Sequence, residues 1–251
     1  MIRLKQILLE QLGEFDPGDF NTPWNIMLQI TSNRDLLNYI AGQFGESIKS
    51  YSTMSGAYSW VWWLNSGKVL KITSNSDEAN AAAYFRKLPK VPHIISYYDI
   101  RKLLVNGEDH ELWATITDGV RTLNKDERGW WRKLSDDYDF WTDYIDTEEI
   151  WNAFLGEDYP REAFEFARKI LNQRTGILRD SNKFKIETYE AHGGNVGFDA
   201  TGQFVIFDVW SNMSMTPKGI VNRMTAPIDL AKAFPPKYTT DGIDTPNDPN
   251  M

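Results

Sequence analysis

Residues Glu190 to Trp210 read E-A-H-G-G-N-V-G-F-D-A-T-G-Q-F-V-I-F-D-V-W. Two short apolar runs, Asn195-Val196-Gly197-Phe198 and Phe204-Val205-Ile206-Phe207, flank Asp199-Ala200-Thr201-Gly202. Apolar runs on either side of an Asp/Gly turn predict a β-hairpin. Polar groups bracket it, with His192 and Asn195 before and Asp208 after. An amide and a carboxylate at the ends of paired strands can share one hard cation through oxygen ligands, and magnesium held so keeps positions open for phosphates. An ordinary hairpin with turn residues is the plainer reading of the same segment.

Upstream, the period is strand-like. Trp60-Val61-Trp62-Trp63-Leu64 and Val69-Leu70-Lys71-Ile72-Thr73 are β-rich runs separated by the turn Asn65-Ser66-Gly67-Lys68. A lysine inside an apolar strand needs a partner or an edge, because burying an ammonium is costly. Ser76 to Phe85 has strong helix propensity and early acids, with Ser76 read as its cap and Glu78 as its only glutamate. His93–Ile100 and Glu111–Thr117 predict two more strands, joined through Asn106-Gly107. From Pro160, the residues Phe164, Ala167, Ile170 and Leu171 give a helix a buried face, and Gly176 reads as its stop.

In this order the segments resemble the protein-kinase-like superfamily over roughly residues 50–212. Asn195 follows Glu190 at the spacing that separates Asp and Asn in the kinase catalytic loop, and Asp208 stands at the metal-binding position after a hairpin. Two departures are plain: Glu190 replaces the catalytic Asp, and Asp208-Val209-Trp210 replaces Asp-Phe-Gly. The resemblance implies an α+β, two-lobed fold with a five-stranded antiparallel N-lobe sheet and a shortened, mostly helical C-lobe. It implies that Lys71 positions ATP phosphates, that Glu78 orients Lys71, and that Asn195 and Asp208 hold magnesium. Glu190 would orient or deprotonate the acceptor hydroxyl. Ser55-Gly56-Ala57-Tyr58-Ser59, with one glycine where the family has three, would cover the phosphates. Thr117-Asp118-Gly119 would be the hinge where adenine meets the backbone. The short C-lobe, the His192 to Asn195 loop and the Ala82-Ala83-Tyr84 helix look most like the early serine/threonine kinase of small lytic coliphages, which phosphorylates host proteins. The implied domains are a helical extension (1–47), an N-lobe (48–118), a C-lobe (119–234) and a loose tail from residue 235.

The rest of the chain bounds this reading. With 251 residues there is length for two lobes, and with no cysteine, disulfides and thiolate metal sites are excluded. The formal charge of −8 argues against binding nucleic-acid phosphates and leaves room for a basic partner. No apolar run approaches a membrane span, and Met1 to Leu9 is too interrupted for a signal peptide, so the expected location is cytosolic. Leu4, Ile7, Leu8 and Leu12 keep helical spacing. A second helix, capped at Ser32, carries the stripe Leu36, Leu37, Ile40, Ala41 and Phe44. Between 121 and 159, aromatics such as Trp130, Trp131, Trp141, Tyr144 and Trp151 alternate with acids. They predict either helices with aromatic undersides or a surface that holds a basic partner. Two alternatives to a protein kinase therefore stand: a kinase-derived binder of a host factor, and a small-molecule phosphotransferase.

Overall fold

Lys71 turns out to lie on an interior strand, and the surrounding sheet explains how it can. The structure is a computed structural model; it describes residues 23–52, 54–55, 59–105, 107–138, 140–142, 146–156, 159–186, 191–207 and 226–233. The predicted helix at Leu4–Leu12 and the tail from 235 lie outside these residues. Five strands, β1 (Met54–Ser55), β2 (Ser59–Trp63), β3 (Val69–Thr73), β4 (Tyr97–Val105) and β5 (Glu108–Thr117), pair antiparallel in the order β1-β2-β3-β5-β4. The β4–β5 turn places Gly107 at a φ of 79°, a conformation that glycine adopts without steric penalty.

The sheet carries one strand more than expected. Ile228–Asp229, the last strand among the described residues, pairs parallel with β4 at Leu103 and Leu104. Residues 228–232, assigned from sequence to the second lobe, thus rejoin the first sheet. Ile228 and Leu230 are buried against it, so the burial of two apolar side chains drives the return.

Strand alternation sends the two faces to different partners. Leu70 and Ile72 of β3, with Trp62, Leu112, Ala114 and Ile116, pack against two helices, α1 (Pro23–Ser32) and α2 (Arg34–Gln43). The described N-terminal helices therefore cover one face of this sheet. The cap of α2 is Asn33, not Ser32: its side-chain oxygen accepts from the amides of Asp35 and Leu36, while the Ser32 hydroxyl bonds back to Gln29 O. The other sheet face meets α3 (Ser76–Phe85), whose alanines 79, 81, 82 and 83 are all buried. Its cap is likewise an asparagine, Asn75, with Ser76 the first helical residue. Asparagine outcompetes the neighbouring serine in both cases because its oxygen reaches two amides at once.

A second, three-stranded sheet combines β6 (Arg121–Thr122), β7 (Val196–Phe198) and β8 (Phe204–Ile206). β7 and β8 are the hairpin expected from the opening stretch. Around it pack α4 (Lys125–Arg132), a π-helical turn (Lys133–Asp137), α5 (Thr147–Leu155), α6 (Arg161–Leu171) and α7 (Arg174–Phe184). Trp131, Phe140 and Phe154 are fully buried, and Trp130, Trp141 and Trp151 pack against the same core. Trp130, Trp131, Trp151 and Phe154 thus lie on helix undersides, Phe140 and Trp141 pack on the same core from a turn between helices, and Tyr144 lies outside the described residues. α7 was not expected, because Gly176 reads as a stop. It sits inside that helix because a Cβ there would lie 2.5 Å from His93 Nε2. Among the described residues, no helix is long and apolar enough to cross a membrane.

Candidate functional site

Antiparallel pairing puts Val61 and Thr115 on either side of Lys71, so the edge-strand reading of this lysine does not hold. Its side chain points to the α3 face and reaches Glu78 Oε1 at 2.5 Å. Side-chain exposure is 12% for Lys71 and 5% for Glu78, so both charges are largely withdrawn from water. Charges this deep persist only when paired and hydrogen-bonded. Thr73, two residues on and on the same strand face, completes the arrangement. Its hydroxyl donates to Glu78 Oε2 at 2.8 Å and accepts from Asn75 N at 3.1 Å. One threonine thereby ties the end of β3, the cap of α3 and the carboxylate together. Sequence reading missed Thr73, although its spacing of two from Lys71 was the available signal.

Between the two sheets the chain runs through Asp118 and Gly119. Asp118 N donates to Ser96 O at 3.1 Å, and the Tyr98 hydroxyl donates to Asp118 Oδ1 at 2.6 Å. That hydrogen bond, with burial and the carboxylate charge, pushes the Tyr98 hydroxyl up to about 12. The Asp118 carboxylate is therefore engaged by Tyr98. Thr117 is buried, and its hydroxyl donates to Asp118 O at 3.2 Å. Gly119 admits no side chain, since a Cβ would lie 2.3 Å from Gly67 O and from the Trp63 ring. Close approach of the β2–β3 turn thus fixes the crossing point. Ser59 is buried opposite Thr73; Ser55 lies on the edge strand β1, and Gly56, Ala57 and Tyr58 fall outside the described residues.

The loop before the hairpin is held from beneath. Trp131 Nε1, on α4, donates to Ala191 O at 2.8 Å. His192 Nδ1 accepts from Gly194 N at 3.0 Å, and Asn195 N donates to His192 O at 2.8 Å, which rounds the loop into the strand. Phe207 N then donates to Asn195 O at 2.8 Å, extending the β7–β8 pairing to the residue before Asp208. Asp199 organises the far turn, where its Oδ1 accepts from the Thr201 hydroxyl and from the amides of Thr201 and Gln203. Burial pushes its carboxyl up, but these bonds and the Lys90 charge outweigh that and hold it below the usual carboxylate value. Glu190 and Asp208 lie outside the described residues. Asn195, half-buried at the strand entrance, is the one proposed metal ligand whose place is described. Among the described residues no group of three or more acidic or imidazole side chains converges on a point.

His93 joins the two sheets and was read from sequence only as a strand residue. Its Nδ1 lies 2.8 Å from Phe204 O, so that nitrogen carries the proton. Its main chain exchanges bonds with the hairpin: Ile206 N donates to His93 O at 3.0 Å, and Ile95 N donates to Ile206 O at 3.1 Å. The strand predicted from His93 begins only at Tyr97, because residues 93–95 bond to β8 instead of β5.

No protein-family model and no curated relative matches the chain. Among solved structures it is similar to a thermostable mutant of aminoglycoside phosphotransferase APH(4)-Ia in apo form, at 13% identity over 69% of this chain and 70% of that chain, with a TM-score of 0.33. A ternary complex of another such mutant with ADP and hygromycin B gives 14% identity, 69% and 70% coverage, and a TM-score of 0.35. Likeness at this level assigns neither an activity nor an acceptor.

Proposed function

We propose that the chain transfers the γ-phosphoryl group of ATP to a serine or threonine hydroxyl of a protein, with magnesium. The observation that carries this reading is the buried Lys71–Glu78 pair. It sits on an interior strand beside a helix inserted between β3 and β4, in a sheet of order β1-β2-β3-β5-β4. A purely structural site gains little from two buried charges over an apolar pair of similar size. A site that must present an ammonium to phosphate oxygens gains its direction. Asn195 with Asp208 offers oxygen donors suited to magnesium, which supplies neutralisation of phosphate charge when bound.

In the proposed reaction, the acceptor oxygen forms a bond to the γ-phosphorus while the bond to the bridging oxygen of ADP breaks, and ADP leaves. The hydroxyl proton passes to the Glu190 carboxylate. Lys71 steadies the phosphates throughout. The binder reading rests on the 121–159 aromatics, of which Trp131 is buried in the core, Trp141 is half-buried against it and Tyr144 lies outside the described residues.

The test is incubation with γ-labelled ATP and magnesium, alone and with cell lysate. Acid-stable label on serine or threonine is expected, absent with Lys71→Met. No label in any fraction, together with no thermal shift of the wild type in millimolar ATP and magnesium, would remove the proposal.

A further inference from the structure

A cleft of about 560 Å³ opens beside the residue 191–195 loop. One wall is α4 and its π-helical continuation; the other is His192, Gly193 and Gly194. The helix wall contributes Arg128 and Arg132, four residues apart and therefore on one face. Two like charges so placed repel. Arg128 Nε donates to a carbonyl, Leu123 O, at 3.0 Å. Arg132 is exposed and has no acidic partner among the described residues. Asp136, one turn further, lines the same cleft and accepts from the Ser135 hydroxyl at 2.7 Å, and it forms no ion pair with either arginine among the described residues. Several other described arginines are matched: Arg121 grips Glu127 through both terminal nitrogens at 2.7 and 2.8 Å, Arg86 meets Asp99, and Arg179 meets Asp180. In a chain of net charge −8, a cavity wall with two guanidinium groups against one carboxylate, Asp136, keeps a local positive excess. Gly193 contributes too, since a Cβ there would press on Arg128 Cγ at 3.0 Å. The bare loop lets the arginine stem lie against it.

We infer that this cleft receives an anionic group of the acceptor, a carboxylate or a phosphate. The inference rests on the phosphotransfer reading above and names the class of acceptor. Planar guanidinium groups bind oxyanions in bidentate fashion, and two of them side by side suit a doubly charged group or a pair of carboxylates. A polycationic acceptor would be repelled from the same cleft. Two sources can supply the anion: acidic side chains flanking a serine, or a phosphorylated small hydroxyl compound.

The experiment is equilibrium binding, at low and raised salt, of three probes: a serine peptide flanked by Asp and Glu, the same peptide flanked by Lys, and glucose 6-phosphate. Each is titrated into wild type, Arg132→Glu, and Arg128→Gln/Arg132→Gln. The Arg132 side chain makes no hydrogen bond to another described residue, so its variant keeps the test readable if the double variant folds poorly. The expected result is that an anionic probe binds the wild type, weakens with salt, and binds both variants at least about ten-fold less well, as loss of a charge-assisted bond implies. Whichever anionic probe binds more tightly identifies the source. Equal binding of the acidic and basic peptides, unchanged binding in Arg132→Glu, or no binding of either anionic probe would each overturn the inference. The ATP–magnesium thermal shift of the wild type is read in parallel. Its absence, together with no transfer of label, would remove the phosphotransfer reading, while the anion result would still stand or fall by itself.

Discussion

The sharpest perturbation is neutralisation of Glu78. Glu78→Gln keeps an acceptor for the Thr73 hydroxyl but removes the charge that Lys71 reaches at 2.5 Å. Lys71, at 12% side-chain exposure, must then stay charged without that partner or lose its proton. Deprotonating a lysine at pH 7 costs about 4.6 kcal/mol from its ordinary value, which sets a ceiling. Breaking a buried pair from one side costs about 3–5 kcal/mol, and the residual exposure places this case near about 3 kcal/mol. Lys71→Met leaves the mirror problem, with a ceiling of about 3.7 kcal/mol for protonating the buried glutamate. The double variant Lys71→Met/Glu78→Gln buries no charge, so it should be more stable than either single variant. Urea unfolding followed by both circular dichroism and tryptophan fluorescence gives the four free energies if the two signals coincide. A coupling of at least about 2 kcal/mol is expected; additivity within about 0.5 kcal/mol would refute a buried, interacting pair. Phosphotransfer by the same four proteins is an independent measurement. The double variant should recover stability and not activity, and full transfer by it would make Lys71 structural only.

Asp208→Ala should abolish the stabilisation by ATP and magnesium, about 2.7 kcal/mol at a hundred times the dissociation constant, without unfolding the apo protein; an unchanged thermal shift would remove Asp208 from the metal site. Glu190→Gln should lower transfer by about 10²–10⁴-fold with nucleotide binding intact, and unimpaired turnover would rule out a proton-accepting role. Gly176→Ala should destabilise by about 1–3 kcal/mol despite better helix propensity, because the new methyl meets His93 Nε2 at 2.5 Å; an unchanged or raised melting temperature would contradict that contact. The Asp199 carboxyl is held below its unfolded value, so its contribution is complete above about pH 4 and fades as pH falls through the folded value. Asp199→Asn should therefore flatten the melting curve against pH in the acid range, and parallel profiles would show that the turn carries no such linkage.

What could be read in the sequence was whatever repeats with a short period. Lys71 stood out because it interrupts an apolar strand, and β7 and β8 because apolar runs flank Asp199 and Gly202. Elements set by distant packing were not legible. Gly176 reads as a helix stop by itself; only the ring of His93 against it explains why the helix passes through. Ile228 and Leu230 belong to a strand and a turn too short for any period to emerge, and their place is set by β4. The aromatics from Trp130 to Phe154 recur among acids, a pattern that suits a wet surface as well as a helix underside. The described core takes Trp131, Phe140 and Phe154 entirely. The caps were displaced by one residue each, since serine and asparagine give similar signals and the geometry of two accepted amides decides between them.

The position of Lys71 relative to the 191–207 hairpin is set by a short route through α3. Glu78 fixes one end of that helix to β3 through Lys71 and Thr73. At the other end Phe85 packs on Phe184 of α7, with ring centroids 4.9 Å apart. From there the chain reaches His93, whose backbone amide donates to Asp180 of α7 at 3.2 Å and whose ring meets Phe204 O. Ile206 bonds the same segment from β8, one residue before the strand end that faces Asn195 through Phe207. Each joint is a buried ion pair, a buried hydrogen bond or an aromatic contact, and such joints hold one arrangement instead of a continuum. A change in the Lys71–Glu78 pair therefore acts on α3 first and on the hairpin through His93. A substitution at His93, far in sequence from both, should disturb the two together.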